Sequence, residues 1–507
     1  MAKRPQRKGR RAQRDQAKAV SAPVIAHRTI PPYAPFPETD IDQIEAQSDW
    51  ILETVGVEFR DDPLTLEQLN GAGAVVSGAR VRFPQGLARA LCESAPSQFD
   101  LIARNPERTV TLGGDNLVLM PGYGSPFVTD IKLGRRYATL LDFQNFVKLS
   151  ASTTYLHHSG GTIVEPTDIP VNKRHLDMVL AHLTLNDKPF MGAVTHPDRA
   201  SDSIDMARIV FGKAMDSAPV IQANINVNSP MVFDGTMTAA LRVYADAGQC
   251  VCISPAIFGG AMGPVTPAAI AAQTHAEVLA GIALTQVIRP GCPVVYGSFH
   301  NTMSLKSGAL TFGTPEANLV CFALGQLARR LGLPFRSGGG QITSSNSADG
   351  QAMAESVAAM WATVLSGANQ VWHAAGWLEG GLTMGYEKFV MDLDACGAIL
   401  KMIGSAEVSE DSLSKASYAE VEPGGNFLST DHTMANFKTA NFEPSIAAAG
   451  PFEAWQEQGC QTSEQRAYDR WNEMLNEYVQ PPISESLKAD LATFVKERKA
   501  ALPDEWY

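Results

Sequence analysis

Between Leu117 and Leu400 a short apolar run ending in glycine or a polar residue, followed by an amphipathic helical stretch, recurs eight times. Strands alternating with helices at this spacing imply a parallel sheet. Eight such units close into a (β/α)8 TIM barrel. The strands are expected at 117–121, 155–160, 189–194, 220–227, 250–254, 293–297, 334–338 and 370–374. The helices are signalled more clearly: Leu176, Val179, Leu180 and Leu183 form one apolar stripe, and Met353, Val357, Met360, Trp361 and Val364 another at the same period. Thr314 before Pro315 and Thr266 before Pro267 place a side-chain acceptor at the N-cap and proline at the first helical position, while Gly332 suits the left-handed residue after a helix. A doubly wound open sheet uses the same units. Eight successive crossovers without a hairpin favour the closed form.

The rest of the 507 residues flank this pattern. Residues 1–37 read as a disordered basic tail and proline-rich linker, 38–115 as a mainly helical N-terminal extension, 116–405 as the barrel, and 406–507 as a mainly helical C-terminal extension. The first twenty residues hold eight Lys or Arg against Asp15, a net +7 in a chain of net −12, which leaves −19 for the remainder. Like charge at that density disfavours folding; it reads as a solvated tail, and nucleic acid is not expected as a partner. No apolar h-region follows it, so it is not a secretion signal.

At 45% apolar and 19% charged residues the chain reads as globular, and no uncharged apolar run reaches the roughly 18 residues that span a bilayer. Seven cysteines, an odd number in a long chain, read as reduced thiols in the cytoplasm. The pattern leaves self-association open.

Barrel enzymes carry their reacting groups on the loops after the strands. Here those loops are rich in glycine, amides and aromatics and poor in charge. The fourth strand is the most specific: Gln222, Asn224, Asn226 and Asn228 alternate with Ile221, Ala223, Ile225 and Val227, so the amides share one face. They serve either a ligand or a structural polar network. Tyr123, Tyr155, Phe258, Tyr296, Phe299, Trp372, Trp377 and Tyr386 fall on or just after strand ends, and a mouth walled by such rings suits a methylated ammonium held by cation–π contacts. Cys250 and Cys252 lack a nearby His-x-Cys, so no metal site is expected. Ser298 and Cys292 lie near His300 without an orienting acid, a weak case for a nucleophile.

Several ordered stretches resemble the trimethylamine methyltransferase superfamily, specifically members that lack pyrrolysine. They are VEF at 57–59 with VRFP at 81–84, PGYGSPFV at 121–128, VEPTDIP at 164–170, KPFMG at 188–192, GWLEGGLT at 376–383 and HTMANF at 432–437. The resemblance implies a barrel that moves a methyl group from an amine to the cob(I)alamin of a separate corrinoid protein, the chain itself binding no metal. Without pyrrolysine the substrate shifts from a tertiary amine to a quaternary one, whose nitrogen is already activated: glycine betaine, proline betaine or carnitine. On that reading Phe258, Tyr296, Trp372 and Trp377 hold the cation with Glu379 as charge partner, and Arg336, His300 or Asn226 receive a carboxylate. Trimethylamine or another small methylated compound as donor, and a betaine-binding barrel without catalysis, are the competing expectations.

Overall fold

The computed structural model describes residues 26–506; the basic tail lies outside them. Seven parallel strands form a curled sheet: β1 (Asn116–Leu119), β2 (Phe190–Met191), β3 (Ile221–Val227), β4 (Cys250–Gly259), β5 (Val294–Gly297), β6 (Phe335–Ser337) and β7 (Gln370–Val371). Their order is β1-β7-β6-β5-β4-β3-β2, with every neighbouring pair parallel. Eight helices cover the outside: α1 (Leu140–Ala151), α2 (Arg174–Leu185), α3 (Pro197–Phe211), α4 (Gly235–Asp246), α5 (Pro267–Ile288), α6 (Pro315–Arg330), α7 (Gly350–Leu365) and α8 (Tyr386–Ile403). The result is an α/β fold.

The strand expected at 155–160 is not a regular ladder strand, and His157 supplies the reason. Its own N–H donates to the Leu119 carbonyl (2.9 Å), but the Leu119 N–H is accepted by the His157 imidazole Nδ1 (2.9 Å) in place of a backbone carbonyl. Farther along, Ser159 N–H donates to Pro189 O (2.8 Å) and Met191 N–H to Gly160 O (2.9 Å). The segment therefore touches β1 on one side and β2 on the other. The fully buried Lys188 tethers its approach, donating to the carbonyls of Ser150, Thr153 and Leu156 at 2.6–2.8 Å.

Residues alternate across the sheet as the pleat requires. Val118, Met120, Met191, Cys250, Cys252, Val295 and Trp372 form one inner cluster, whereas Ile221, Ala223, Ile225, Val251, Ile253, Val294, Phe335 and Val371 join the large core under the helices. A hairpin of Gln98–Leu101 and Val110–Gly113 closes the end where the strands begin, adding Leu101 and Leu112 to the inner cluster. Access from that end is blocked.

α5 is buried on every side from Ile270 to Gln286, which demands cover on both sides. The sheet supplies one side and the N-terminal helices Glu38–Trp50 and Leu87–Cys92 the other. The N-terminal extension is not helical throughout: Val57–Phe59, Val75–Ser77 and Arg80–Arg82 form a small antiparallel sheet that captures Val232–Phe233 from the loop after β3. The proline-rich stretch is fixed in place, with Tyr33 N–H on Leu365 O (2.8 Å) and Gln326 bonding both N–H and carbonyl of Phe36. At the other end of the chain Ser463–Asn476 packs on α8 and α1, and Glu485–Ala501 on α2 and α3. Thr314 caps α6 by accepting from Ala317 N–H and Gly332 is left-handed at φ +66°, but the Thr266 side chain makes no cap bond to α5. Among the described residues no helix is long and apolar enough to cross a membrane.

Candidate functional site

At the end where the strands terminate, β3 sends Gln222, Asn224 and Asn226 inward. Gln222 exchanges two amide hydrogen bonds with Gln370 of β7 (2.9 and 2.7 Å), which satisfies the deepest pair and spans the interior. Asn224 donates to Asn226 (3.2 Å), and its Oδ1 is buried with no protein partner. Asn226 is exposed although it sits on an inward face, so the interior opens there. Asn228 has left the ladder and bonds Asp234 at the start of α4 (2.8 Å).

Above the amides lies Arg336, on the inward face of β6 and 2% exposed. Its guanidinium donates to the Ser298 carbonyl and to His373 Nε2 (3.3 Å), and its carbon lies 4.1 Å from the centre of the Trp372 ring and 5.8 Å from that of Phe299. None of these partners is a carboxylate, and Nε is buried with no acceptor. Burial draws its pKa down to about 10, still charged at neutral pH. A buried cation without a counter-ion costs several kcal/mol. Tyr123 packs on Trp372 at 5.6 Å, and burial pushes its phenol above its ordinary value.

Next to the guanidinium, four rings gather. Phe299 lies 6.0 Å from Phe258, 6.2 Å from Phe312 and 5.9 Å from Trp377, and Trp377 is 5.7 Å from Phe312. The His373 ring sits between them and Arg336, 4.2 Å from Trp377 and 5.6 Å from Phe299. Strand pairing explains the gathering: Phe299–Met303 runs parallel to the end of β4, with Ala256 opposite Phe299 and Phe258 opposite Asn301, so these side chains share the inward face. Asn301 is 1% exposed and neither amide atom finds a partner; the indole N–H groups of Trp372 and Trp377 are likewise unpartnered. Buried polar groups are nearly always paired. Their concentration here makes this part of the interior the candidate functional site.

The expected site residues divide. Phe258 and Trp377 lie in the ring cluster, and Arg336 and Asn226 face the same interior. Trp372 is inside too, but one face is covered by Arg336, so it orients the guanidinium rather than walling the ring cluster. Tyr296 is not in the site: it points outward, donating or accepting at His275 of α5 (2.9 Å), because Val295 occupies the inward position. His300 also faces outward and bonds the Ala317 carbonyl of α6 (3.0 Å); burial lowers its pKa to about 4. Glu379 is already paired, with Arg135 at 2.8 Å and the Thr383 hydroxyl, which removes it as a free counter-ion. Phe299 stood among the strand-end aromatics without a role. Phe312, His373 and Asn301 carried no sequence signal beyond their place near strand ends.

A second layer fixes these groups. Gly340, at φ +109°, presses against Trp372, where a Cβ would stand 2.2 Å from the carbonyl oxygen. Gln341 bonds the carbonyls of Ala374 (2.8 Å) and Asp392 (2.7 Å). Asp392 accepts from Gly376 N–H (2.8 Å) and from the buried Lys388 (2.5 Å); burial raises the carboxyl pKa to about 6. Among the described residues no three His, Cys, Asp or Glu side chains are grouped to hold a metal ion.

Residues 3–503 match the family model described as trimethylamine methyltransferase (MTTB). The chain is 39% identical over 478 residues to a glycine betaine methyltransferase of Desulfitobacterium hafniense (strain Y51), covering 94% of this chain and 99% of that one. It is 28% identical over 404 residues to a proline betaine:corrinoid methyltransferase of Eubacterium limosum, covering 77% and 82%. The crystal structure of the Methanosarcina barkeri monomethylamine methyltransferase superposes over 89% of this chain and 90% of that one, with a TM-score of 0.49 and 10% identity.

Proposed function

Because the chain belongs to the trimethylamine methyltransferase family, we propose that it moves a methyl group from a betaine, glycine betaine or a near relative, to the cobalt of a corrinoid carried by a separate protein. The observation that carries this reading is the pairing of two receptors: a buried guanidinium without a carboxylate, and beside it a cluster of four aromatic rings. A betaine has the complementary ends, a carboxylate and a methylated ammonium, on a short tether. Trimethylamine would leave Arg336 unanswered.

We also read the curled sheet as a (β/α)8 barrel whose eighth stave is 155–160; its hydrogen bonds to β1 and β2 support this. The site then lies at the end of the strands, the usual place in such barrels. The six buried cysteines, all unpaired, suit the cytoplasm.

Within the site the rings hold the ammonium by cation–π attraction, and Arg336 fixes the carboxylate, so one N-methyl carbon is presented to the opening. A corrinoid carried by the partner protein would supply the electron pair that accepts the methyl group. The C–N bond breaks with its electrons returning to nitrogen, and the amine leaves neutral at that atom. No protein acid or base is required, in keeping with a mouth that lacks a nucleophile-base pair. What the protein contributes is alignment and exclusion of water, effects that reach about 7–11 kcal/mol in well-oriented systems. Exposed apolar residues stand on the adjacent loops that follow β4 and β5: Met262, Val265, Leu305 and Leu310; Leu382, after β7, is exposed as well. They suit the docking of the corrinoid protein.

The test is to incubate the purified protein with cob(I)alamin and glycine betaine, proline betaine, carnitine or trimethylamine. Methylcobalamin from a betaine is expected. None from any betaine defeats the proposal; calorimetric binding without demethylation would identify a non-catalytic barrel.

A further inference from the structure

We propose that His373 is the second carboxylate-binding residue, a neutral donor locked in one tautomer by Arg336. The inference rests on the betaine reading above and adds a residue to it. A guanidinium has only N–H donors, so the 3.3 Å contact between Arg336 Nη2 and His373 Nε2 requires Nε2 to accept. In the neutral ring the proton is then on Nδ1. Two effects keep the ring neutral: burial, and the Arg336 charge, both of which hold its pKa well below the ordinary value. Nδ1–H is thus a fixed donor, and it is buried with no acceptor in the protein.

The backbone points the same way. His373 has φ +58°, a left-handed conformation uncommon outside glycine, in a chain segment clamped by Gln341 N–H on its carbonyl (2.8 Å). Such backbone costs about 1–3 kcal/mol and persists where the surroundings over-determine it, typically at binding sites. The ring it positions touches Arg336 on one side and Trp377 and Phe299 on the other. It therefore stands between the carboxylate anchor and the ammonium cage, where the short tether of a betaine must pass. Arg336 Nε–H and His373 Nδ1–H are two unpartnered donors for two carboxylate oxygens.

Calorimetry with glycine betaine and with tetramethylammonium, which lacks a carboxylate, tests this on wild type, His373→Leu and His373→Asn. Leu removes the donor; Asn tolerates the same backbone and places an amide N–H near Nδ1. The expected result is a roughly tenfold weaker glycine betaine Kd in His373→Leu, largely restored in His373→Asn, with tetramethylammonium affinity unchanged. Equal weakening of both ligands would reveal a merely structural role, and no weakening of either would also overturn the assignment. Histidine 15N spectra of the wild type give a second readout: an Nε2–H tautomer, or an Nδ1 signal that ignores glycine betaine because the N–H lies on the Trp377 ring, refutes it. If wild type itself neither binds nor demethylates any betaine, the proposed function fails first; if it does both and His373→Leu matches it, only this inference fails.

Discussion

Replacing Arg336 with Gln separates the two ends of the substrate. Wild-type Arg336 has Nη1 committed to the Ser298 carbonyl, Nη2 shared with His373, and Nε free. A bound carboxylate would accept from Nε–H, forming a buried, charge-assisted contact. Truncating one partner of such a pair costs about 2–5 kcal/mol, much of it from the charge left behind. At 1.4 kcal/mol per tenfold this is roughly a 30- to several-thousand-fold loss of glycine betaine affinity. Tetramethylammonium, which meets only the rings, should bind the variant as it binds wild type. Without ligand the sign differs: the variant no longer buries an uncompensated cation, so it should melt no lower than wild type. Calorimetry with both ligands and a thermal melt check this. Equal losses for both ligands, or a glycine betaine Kd within threefold of wild type, would refute the placement of the carboxylate at Arg336.

Trp377→Ala should weaken tetramethylammonium and glycine betaine alike, by on the order of 1 kcal/mol or more, measured by calorimetry. Tyr296→Phe should leave demethylation unchanged and cost about 1 kcal/mol in urea unfolding, since only the hydroxyl bond to His275 is lost. Leu305→Asp, at a 72% exposed loop position, should slow transfer to the corrinoid protein but not to free cob(I)alamin. His182, His275 and His300 are held neutral by burial, with pKa values lowered to about 4, 3 and 4. Between pH 6.5 and 4 the unfolded chain takes up protons there that the native chain refuses. Their contribution, on the order of 3 kcal/mol each, is therefore full above pH 6.5 and lost as pH falls towards 4; a urea midpoint constant from pH 7 to 5 would contradict this.

Much of this arrangement is legible in the sequence where one strand face is polar. Gln222, Asn224 and Asn226 reveal their side because apolar residues alternate with them, and the structure turns them inward. β5 offers no such contrast. Val294, Val295 and Tyr296 are all apolar because a parallel strand is buried on both faces, so Tyr296 reads equally well in either direction and in fact lies under α5. Pairings distant in sequence are harder still. Nothing local shows that Arg135 neutralises Glu379, that Arg336 covers Trp372, or that Phe312 folds back from a hairpin to join Trp377. The family-like stretches fare unevenly: KPFMG at 188–192 owes its lysine to three backbone carbonyls rather than to chemistry.

The joint at His157 has a mechanical consequence. Elsewhere in the sheet neighbouring strands are stitched main chain to main chain, but there one stitch is an imidazole, and a side chain can turn where a backbone carbonyl is fixed. A swing of that side chain would deprive the Leu119 amide of its acceptor and let solvent in along that line, while the β3–β4 border stayed shut. Deuterium uptake at Leu119 should therefore outpace that at Ile253, making this side chain a latch on that border of the curled sheet.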